Sequence, residues 1–233
     1  MAKYKYDECS NFYGLDLDEE QIKFRDAIMD SDKLIIFCNA KSGTGKTTIA
    51  TACADLLYKL NLYEDIVYIA SPTQEQKQGY LKGSIDEKSE PYFSPFYEAL
   101  ETIGVNLNTS LSSDIMNLKK GTAYIECMTH TFQRGTNLKN KVVIIDEAQN
   151  YYVDELRKVL TRIHDSCKTV VIGHTGQIDL YKYPERSGFI HYLNWFKDDP
   201  RTAICELSIN HRGWVSTHAD NLPNNCVPKY NTI

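Results

Sequence analysis

Residues 34–48 contain an apolar run, a turn with two glycines and a Gly-Lys-Thr sequence, in that order. This order predicts a strand, a loop and a helix, which is the context in which a phosphate-binding P-loop occurs. Gly43 and Gly45 allow backbone conformations that a side chain would forbid, so successive N–H groups can point into one concavity. The positive end of the following helix faces the same space. The stretch therefore predicts a site for the phosphates of a nucleotide.

Two side chains at the start of this helix carry the predicted chemistry of the loop. Lys46 would reach the β- and γ-phosphates, and the Thr47 hydroxyl would hold Mg²⁺. The usual pattern begins with glycine, and Ala40 stands in that place, which is tolerable if its φ is negative. The residues predicted to bind nucleotide lie in this loop and in the first turn of the helix. They are Ala40, Lys41, Ser42, Gly43, Thr44, Gly45, Lys46, Thr47 and Thr48.

Residues 141–149 supply the acidic partner that a P-loop needs. Four consecutive β-branched apolar residues predict a strand that is buried on both faces. Asp146 and Glu147 follow at its carboxyl end, where α/β sheets place their ligand sites. Asp146 would hold Mg²⁺, usually through water, and Glu147 would orient and polarise the attacking water. Two motifs in this order favour a nucleoside triphosphatase more strongly than either motif alone.

Gln21 lies in a helix predicted over residues 18–30, and two interpretations of its role are open. Asp18, with Gln21 three residues on, resembles a capping box, and acids crowd the first turn. In the first interpretation the Gln21 amide caps the helix. In the second it recognises adenine, because an amide can both donate and accept a hydrogen bond on the edge of that base.

Gln177 and Arg212 are two further candidates for catalysis. Gln177 follows a strand predicted at residues 168–173, at the same end of the sheet as the acids. Its amide could sense the γ-phosphate, and a plain turn is the alternative. Arg212 could clamp the charge of the transition state. The alternative is a structural arginine on the surface.

A polar passage between residues 71 and 95 is too long for an ordinary connection in a compact domain. Its amide, basic and aromatic side chains can contact a sugar-phosphate backbone and stack on a base. A solvated insertion is the alternative. The side chains that favour nucleic acid are Gln74, Gln76, Lys77, Gln78, Tyr80 and Lys82.

The amino-acid composition indicates which classes of protein this chain can belong to. A chain of 233 residues, 42% hydrophobic and 24% charged, is typical of one globular domain. The net charge of −5 argues against a broad non-specific coat of nucleic acid and is compatible with a local basic patch. No apolar run is long enough to span a membrane, and the N-terminus does not resemble a secretory signal. We expect a cytoplasmic protein whose seven scattered cysteines are reduced core residues without a metal.

Apolar periodicity along the chain predicts helices that alternate with short strands. A weak loop is expected from residue 104 to about residue 118. The predicted strands are 33–39, 65–70, 122–127, 142–145, 168–173 and 203–207. The predicted helices are 18–30, 46–60, 96–103, 154–164 and 187–196.

Several short motifs recur in one known family. The most specific are Asp-Glu-Ala-Gln-Asn at 146–150, Leu-Thr-Arg-Ile at 160–163 and Gln-Ile-Asp-Leu at 177–180. Together with the P-loop, they resemble the PhoH-like proteins, P-loop ATPases related to the first motor domain of superfamily 1 helicases. The resemblance covers residues 15–215 and implies a single RecA-like α/β domain, with a mostly parallel sheet between helices. An extension at 1–14 and a tail at 216–233 would flank it.

The resemblance also implies a function. It implies that the chain binds ATP with Mg²⁺, hydrolyses it to ADP, and acts in RNA metabolism or unwinding. It favours the adenine contact for Gln21 and the γ-phosphate sensor for Gln177. Small members of the family are common in bacteriophages, which suits a compact chain.

The sequence departs from the family pattern at several positions. His174 stands where the family usually has Asp, which we expect to weaken coordination around Mg²⁺ or the sensor. His211 precedes Arg212, whereas the family tends to have Arg directly before His, so the order at the clamp is reversed. Ser71 and Ser94 replace arginines that are common in relatives, which removes positive charge for nucleic acid. We therefore expect slow hydrolysis.

The leading interpretation is an ATPase whose cycle acts on nucleic acid, with single-stranded RNA as the expected partner. Helicases of this type close two motor domains around ATP, and this chain has room for one. We therefore expect a head-to-tail homo-oligomeric ring, in which one subunit lends Arg212, Arg162 or Arg157 to the next. The alternative is an ATP-dependent switch or interaction module with little hydrolysis. A small-molecule kinase is disfavoured, because no lid pattern with arginines is visible.

Overall fold

In the part of the chain that the structure describes, six parallel strands form the central sheet. They are β1 (Ile35–Ala40), β2 (Asp65–Ala70), β3 (Ile125–Thr129), β4 (Lys141–Ile145), β5 (Lys168–Gly173) and β6 (Thr202–Leu207). They pair in the order β3-β2-β4-β5-β1-β6, and every neighbouring pair is parallel. This computed structural model describes residues 12–71, 90–129, 137–180 and 184–220.

The burial of each strand follows from its composition and its place in the sheet. β4 carries Val or Ile at four consecutive positions, and all four side chains are buried. β5, beside it, is buried along its whole length. β6 lies at an edge beside β1, and its side chains alternate between more buried and more exposed positions. Long apolar runs therefore mark the centre of the sheet, where helices cover both faces.

Helices lie on both sides of the sheet. They are α1 (Glu19–Met29), α2 (Lys46–Lys59), α3 (Ser94–Thr102), α4 (Leu107–Ser110), α5 (Ile115–Lys120), α6 (Val153–Leu160), α7 (Gly188–Phe196) and α8 (Trp214–Asp220). On one face, Phe24 of α1, Ile49 of α2 and Phe96 of α3 belong to one buried apolar cluster. On the other face, Leu156 of α6 and Phe189 of α7 belong to a second. The sheet is thus enclosed between two apolar layers.

The carboxyl ends of β1, β4 and β5 meet at one edge of the sheet. Val171 of β5 pairs with Phe37 of β1 on one side and with Ile145 of β4 on the other. The loop after β1 and the acids after β4 therefore lie on either side of the end of β5. This topology fixes where a ligand can bind.

The predicted fold class is confirmed, and β2, α2 and β5 lie within one residue of their predicted bounds. The loop predicted at 104–118 is wrong, because α4 and most of α5 lie there. Asn106 and Asp114 cap these short helices by accepting hydrogen bonds from Asn108 N at 3.0 Å and Met116 N at 2.7 Å. β3 begins at Ile125, three residues later than predicted, where pairing with β2 starts.

Some predictions fall outside the described residues. They concern the side chains between residues 72 and 89 that favour nucleic acid, and most of the terminal extension and tail. The domain boundaries at 15 and 215 also stay predictions, and α8 spans the second of them. Among the described helices, none combines the length and the apolar character that a membrane crossing needs.

Candidate active site

The P-loop follows β1, and its backbone adopts a shape that glycine permits. Gly43 and Gly45 both have φ of 77°, a left-handed conformation that glycine adopts without steric penalty. Gly45 is also the N-cap of α2, so the free N–H groups of the first helical turn face the loop. Ala40 ends β1 as a buried strand residue. The loop therefore does not need glycine at this position.

Four of the predicted site residues meet next to this loop. Lys46 Nζ lies 3.7 Å from Glu147 Oε1. The Thr47 hydroxyl donates a hydrogen bond to Asp146 Oδ2 at 2.8 Å. The first turn of α2 and the end of β4 thus face each other across β5. The structure places the four side chains together, and their parts in catalysis stay predictions.

The oxygens of Thr47 and Asp146 fit a Mg²⁺ ion. Mg²⁺ prefers octahedral oxygen ligands at about 2.1 Å, so that neighbouring ligands are about 3.0 Å apart. Thr47 Oγ1 and Asp146 Oδ2 are 2.8 Å apart. The described residues contain no group of three or more His, Cys, Asp or Glu side chains that could hold a metal. Mg²⁺ usually keeps several waters and is bound through one or two carboxylates together with substrate phosphates, which suits this pair of oxygens.

Among the described residues, three groups donate hydrogen bonds to Asp146. Its Oδ2 accepts from the Tyr68 hydroxyl at 3.0 Å as well as from Thr47, and its Oδ1 accepts from Glu147 N at 2.8 Å. Tyr68 lies in β2 and stacks on Phe96 of α3 at 4.3 Å between ring centroids. Burial, and then the charge of Asp146, raise the pKa of Tyr68 well above its ordinary value. Tyr68 is thus a neutral donor that orients Asp146, and no sequence motif pointed to it.

Glu147 has a left-handed backbone, with φ 50° and ψ 40°, which residues with a side chain rarely adopt. This residue turns the chain from β4 into the short 3-10 helix Ala148–Asn150. Loss of water around its carboxylate, and then the charge of Asp146, raise the pKa of Glu147, and Lys46 opposes them. A raised pKa suits a group that accepts a proton from water.

Gln149 orients Glu147, a role that the motif alone did not reveal. Its side chain is buried, and its Nε2 donates to Glu147 Oε2 at 2.5 Å. Its Oε1 accepts from His174 N at 3.0 Å. One amide therefore joins the acid after β4 to the loop after β5. In the sequence, Gln149 is part of the Asp-Glu-Ala-Gln motif, but the motif does not show which residues its amide contacts.

Gln21 is buried between the helix cap and the P-loop. Its Oε1 accepts from Asp18 N at 3.1 Å, and Asp18 accepts from Gln21 N at 2.9 Å. Its Nε2 donates to Thr44 O at 2.9 Å. The capping interpretation is the one present in the structure, and it includes a bond to the P-loop. An adenine contact would need this amide to exchange a partner, and it stays a prediction.

The other predicted residues lie at different distances from this cluster. Gln177 is exposed in the turn after β5, where its N–H bonds to His174 O at 3.3 Å. Arg212 lies against its own P-loop, with Nη1 2.9 Å from Ser42 Oγ. Arg157 is on α6, 3.5 Å from Asp154. Of the three arginines suggested for a neighbouring subunit, Arg212 thus contacts the site of its own chain.

The family is decided by a match over most of the chain. The sequence profile of the PhoH-like proteins matches residues 16–212. The chain belongs to the PhoH-like protein family. The matched residues include the P-loop, both acids and the segment after β6. The resemblance inferred from the sequence motifs is therefore confirmed.

Individual PhoH-like relatives agree with this assignment. The chain is 34% identical over 176 residues to a PhoH-like protein of Synechocystis sp., covering 75% of this chain and 51% of that protein. It is 31% identical over 187 residues to protein PhoH of Escherichia coli K12, covering 80% of this chain and 51% of that protein. This PhoH-like chain thus spans about half the length of the curated relatives it matches.

The fold of this PhoH-like chain is also found in a solved bacteriophage protein. The large terminase of a thermophilic bacteriophage, solved in complex with ADP, aligns with a TM-score of 0.50 and 12% identity. The alignment covers 82% of this chain and 46% of the terminase. At this identity the likeness concerns the fold alone. It agrees with a RecA-like α/β fold.

Of the positions in this PhoH-like chain that are expected to depart from the family pattern, His174 and Ser71 lie at the same edge of the sheet. His174 directly follows β5, and its N–H is the group that Gln149 binds. Ser71 directly follows β2, and its hydroxyl donates to Asn150 O at 3.2 Å. Ser94 is exposed at the start of α3. Ser71 thus contacts the segment that follows the two acids, whereas Ser94 is exposed.

Proposed function

We propose that this chain binds ATP with Mg²⁺, hydrolyses it, and couples the cycle to single-stranded RNA. The observation that carries the proposal is the meeting of Lys46 and Thr47 with Asp146 and Glu147 at the end of a parallel sheet. The set provides a cation for phosphate, two oxygens for a metal and a carboxylate for water. The terminase of similar fold was solved with ADP, which supports a nucleotide ligand.

Each residue has its own task in the proposed reaction. The N–H groups of the P-loop and Lys46 would bind the phosphate oxygens. Glu147 would take a proton from water as the water oxygen bonds to the γ-phosphorus. The bond from that phosphorus to the β,γ-bridging oxygen breaks, and ADP and phosphate result. Mg²⁺, held by Thr47 and Asp146, would neutralise the developing charge.

The coupling to RNA and the association of subunits belong to the same proposal. RNA is supported by the relation of the family to helicases and by the polar residues at 72–89. A head-to-tail contact would bring an arginine of one subunit to the ATP site of the next, and such a heterologous contact can close a ring. Turnover per subunit would then rise with protein concentration. A monomer that turns over ATP as fast as any assembled form would contradict the shared site.

Steady-state ATP hydrolysis with and without single-stranded RNA tests the proposal. Lys46→Ala serves as the blank, because it removes the cation at the phosphates and should abolish binding or turnover. Lys139→Ala, at an exposed position away from the site, controls for the loss of a lysine. Omitting Mg²⁺ and adding a chelator tests the metal in the same assay.

The outcomes separate the parts of the proposal. Stimulation of the wild-type chain by RNA, in a salt-dependent manner, would support a nucleic-acid-coupled ATPase. Turnover without stimulation would retain the ATPase and remove the RNA coupling. Tight ATP binding without turnover would assign the chain as an ATP-dependent switch. Absence of ATP binding would overturn the proposal as a whole.

A further inference from the structure

Residues 208–213, which follow β6, lie directly on the P-loop. Asn210 Nδ2 donates to Ser42 O at 3.3 Å, and His211 N donates to Gly43 O at 2.8 Å. Arg212 Nη1 donates to Ser42 Oγ at 2.9 Å. Two carbonyl oxygens and one hydroxyl of the P-loop are therefore bound by this one segment.

The first turn of α1 binds both the segment and the loop. His211 Nε2 lies 2.8 Å from Asp18 Oδ2. The Glu20 carboxylate accepts from Ser208 N at 2.6 Å and from its hydroxyl at 2.8 Å. Residues 208–213, together with Asp18, Glu20 and Gln21, are called the P-loop collar below. The collar joins the two ends of the matched domain on one side of the nucleotide loop.

The collar binds the carbonyl side of three consecutive P-loop residues. Asn210 binds Ser42 O, His211 binds Gly43 O, and Gln21 binds Thr44 O. In an anion-binding loop the N–H groups must point to the ligand, which requires the carbonyl groups to find partners elsewhere. The collar supplies these partners from the chain itself.

The collar packs closely against the two left-handed glycines of the loop. A Cβ on Gly43 would lie 2.9 Å from Asn210 Oδ1 and 3.1 Å from the Arg212 side chain. A Cβ on Gly45 would lie 3.0 Å from Gln21 Nε2. The collar therefore touches the loop at both of its left-handed glycines.

We propose that the collar positions the P-loop for phosphate, with Asp18 and His211 as its positioning residues. Asp18 and His211 bind each other, and each would act on phosphate binding through the loop. His211 presents its backbone N–H to Gly43 O while its ring is held by Asp18. The inference rests on the proposed function in naming ATP as the ligand. The conformation of the P-loop in the nucleotide-free chain can be tested without that assumption.

Asp18→Ser and His211→Ala are the variants that test the proposal. Serine still caps α1, and it is too short to reach His211, so the helix is preserved while the pair is lost. We expect KM and the Kd for ATP to rise about tenfold with kcat within twofold, as for a loss of uniform binding. His211→Gln, which can still donate to Asp18, should restore most of the affinity. Asp199→Asn breaks an exposed carboxylate pair with Arg201 far from the loop and is the matched control.

Hydrogen exchange of the nucleotide-free chain provides the second measurement. The amides of residues 42–46 should exchange several-fold faster in Asp18→Ser than in wild type, with the core amides of β4 unchanged. Equal exchange, or a fall in thermal stability with unchanged KM and Kd, would overturn the proposal, because both indicate a merely structural contact. Altered exchange in a chain that binds no ATP would support the collar and overturn the proposed function instead.

Discussion

Glu147 combines a left-handed backbone with two side-chain partners. Its carboxylate lies near Lys46 on one side and accepts from Gln149 on the other. A non-glycine residue in this conformation is held there by its surroundings at a cost in stability. Here the surroundings are the buried Asp146 before it and the buried turn after it. In this conformation the carboxylate lies 3.7 Å from Lys46 Nζ, next to the P-loop.

Glu147→Gln should retain ATP binding and lose hydrolysis. The amide has nearly the same shape but cannot accept the proton of water, and loss of a general base lowers rates by about 10²- to 10⁴-fold. Single-turnover hydrolysis and equilibrium dialysis measure the two effects separately. Glu98→Gln, at an exposed position on α3, is the control. Equal turnover of Glu147→Gln and wild type would remove Glu147 from the catalytic role.

At the scale of elements, the P-loop depends on Gly43 in two ways. Its φ of 77° is unfavourable for any side chain, and a Cβ would also contact Asn210 and Arg212. Gly104, after α3, has the same φ, and a Cβ there would meet nothing within 4 Å. A substitution of Gly104 therefore introduces backbone strain alone, whereas a substitution of Gly43 also introduces a collision with the collar.

Gly43→Ala should weaken ATP binding, whereas Gly104→Ala should not. Each variant should lose about 1–2 kcal/mol of stability from the left-handed backbone. The additional loss of affinity in Gly43→Ala, of about tenfold or more, would come from displacing the collar. For both variants, urea unfolding measures the loss of stability and ATP titration measures the loss of affinity. Similar ATP affinities for the two variants would show that the close contact between Gly43 and the collar does not affect ATP binding.

Lys168, at the start of β5, ties the strand to the connection before β1. Its Nζ donates to Asp30 O at 2.6 Å and also to Lys33 O. Burial lowers the pKa of Lys168 to about 8. Between pH 8 and 10.5 the unfolded chain therefore holds a proton that the folded chain releases. The contribution of Lys168 to the free energy of unfolding must therefore increase between pH 8 and pH 10.5.

The free energy of unfolding of wild type relative to Lys168→Met should increase by up to about 3 kcal/mol from pH 8 to pH 10.5. Below pH 8 the difference should be constant, because both states are then protonated. Urea denaturation of the two chains at pH 7.5 and pH 10 gives the comparison, with Lys139→Met as an exposed-site control. A difference that does not change with pH would show that Lys168 titrates alike in both states.

At the scale of the whole molecule, the collar connects the nucleotide loop to α8. Asn210 Nδ2 lies within hydrogen-bonding distance of both Ser42 O and the Ser216 hydroxyl, at 3.3 and 2.8 Å. Trp214 begins α8 and is 75% exposed, and Trp195 on α7 is 82% exposed. A change at the P-loop can therefore reach the environment of Trp214 through one side chain.

ATP should change the tryptophan fluorescence of the chain through Trp214. In Trp195→Phe the change should persist, and in Trp214→Phe it should disappear, since the chain has two tryptophans. Equilibrium dialysis of the same samples establishes that ATP is bound. A constant emission from Trp195→Phe at saturating ATP would show that α8 does not respond to the loop.

Much of the fold and part of the site could be predicted from residue order. The apolar runs of β1, β4 and β5 and the glycines of the P-loop are local signals, because burial and positive φ each select particular residue types. They led to the sheet, to Lys46 and to the two acids. The helices α4 and α5 were missed, since short capped turns carry little periodicity.

The sequence alone determined that this chain is a parallel α/β P-loop domain of the PhoH-like family, because its decisive motifs are contiguous. The tertiary structure decided which distant side chains support those motifs. Tyr68 meets Asp146, Gln149 joins Glu147 to His174, and His211 meets Asp18 across 193 positions. No local pattern encodes such pairs, since each follows from the order of strands in the sheet and the helices packed on it.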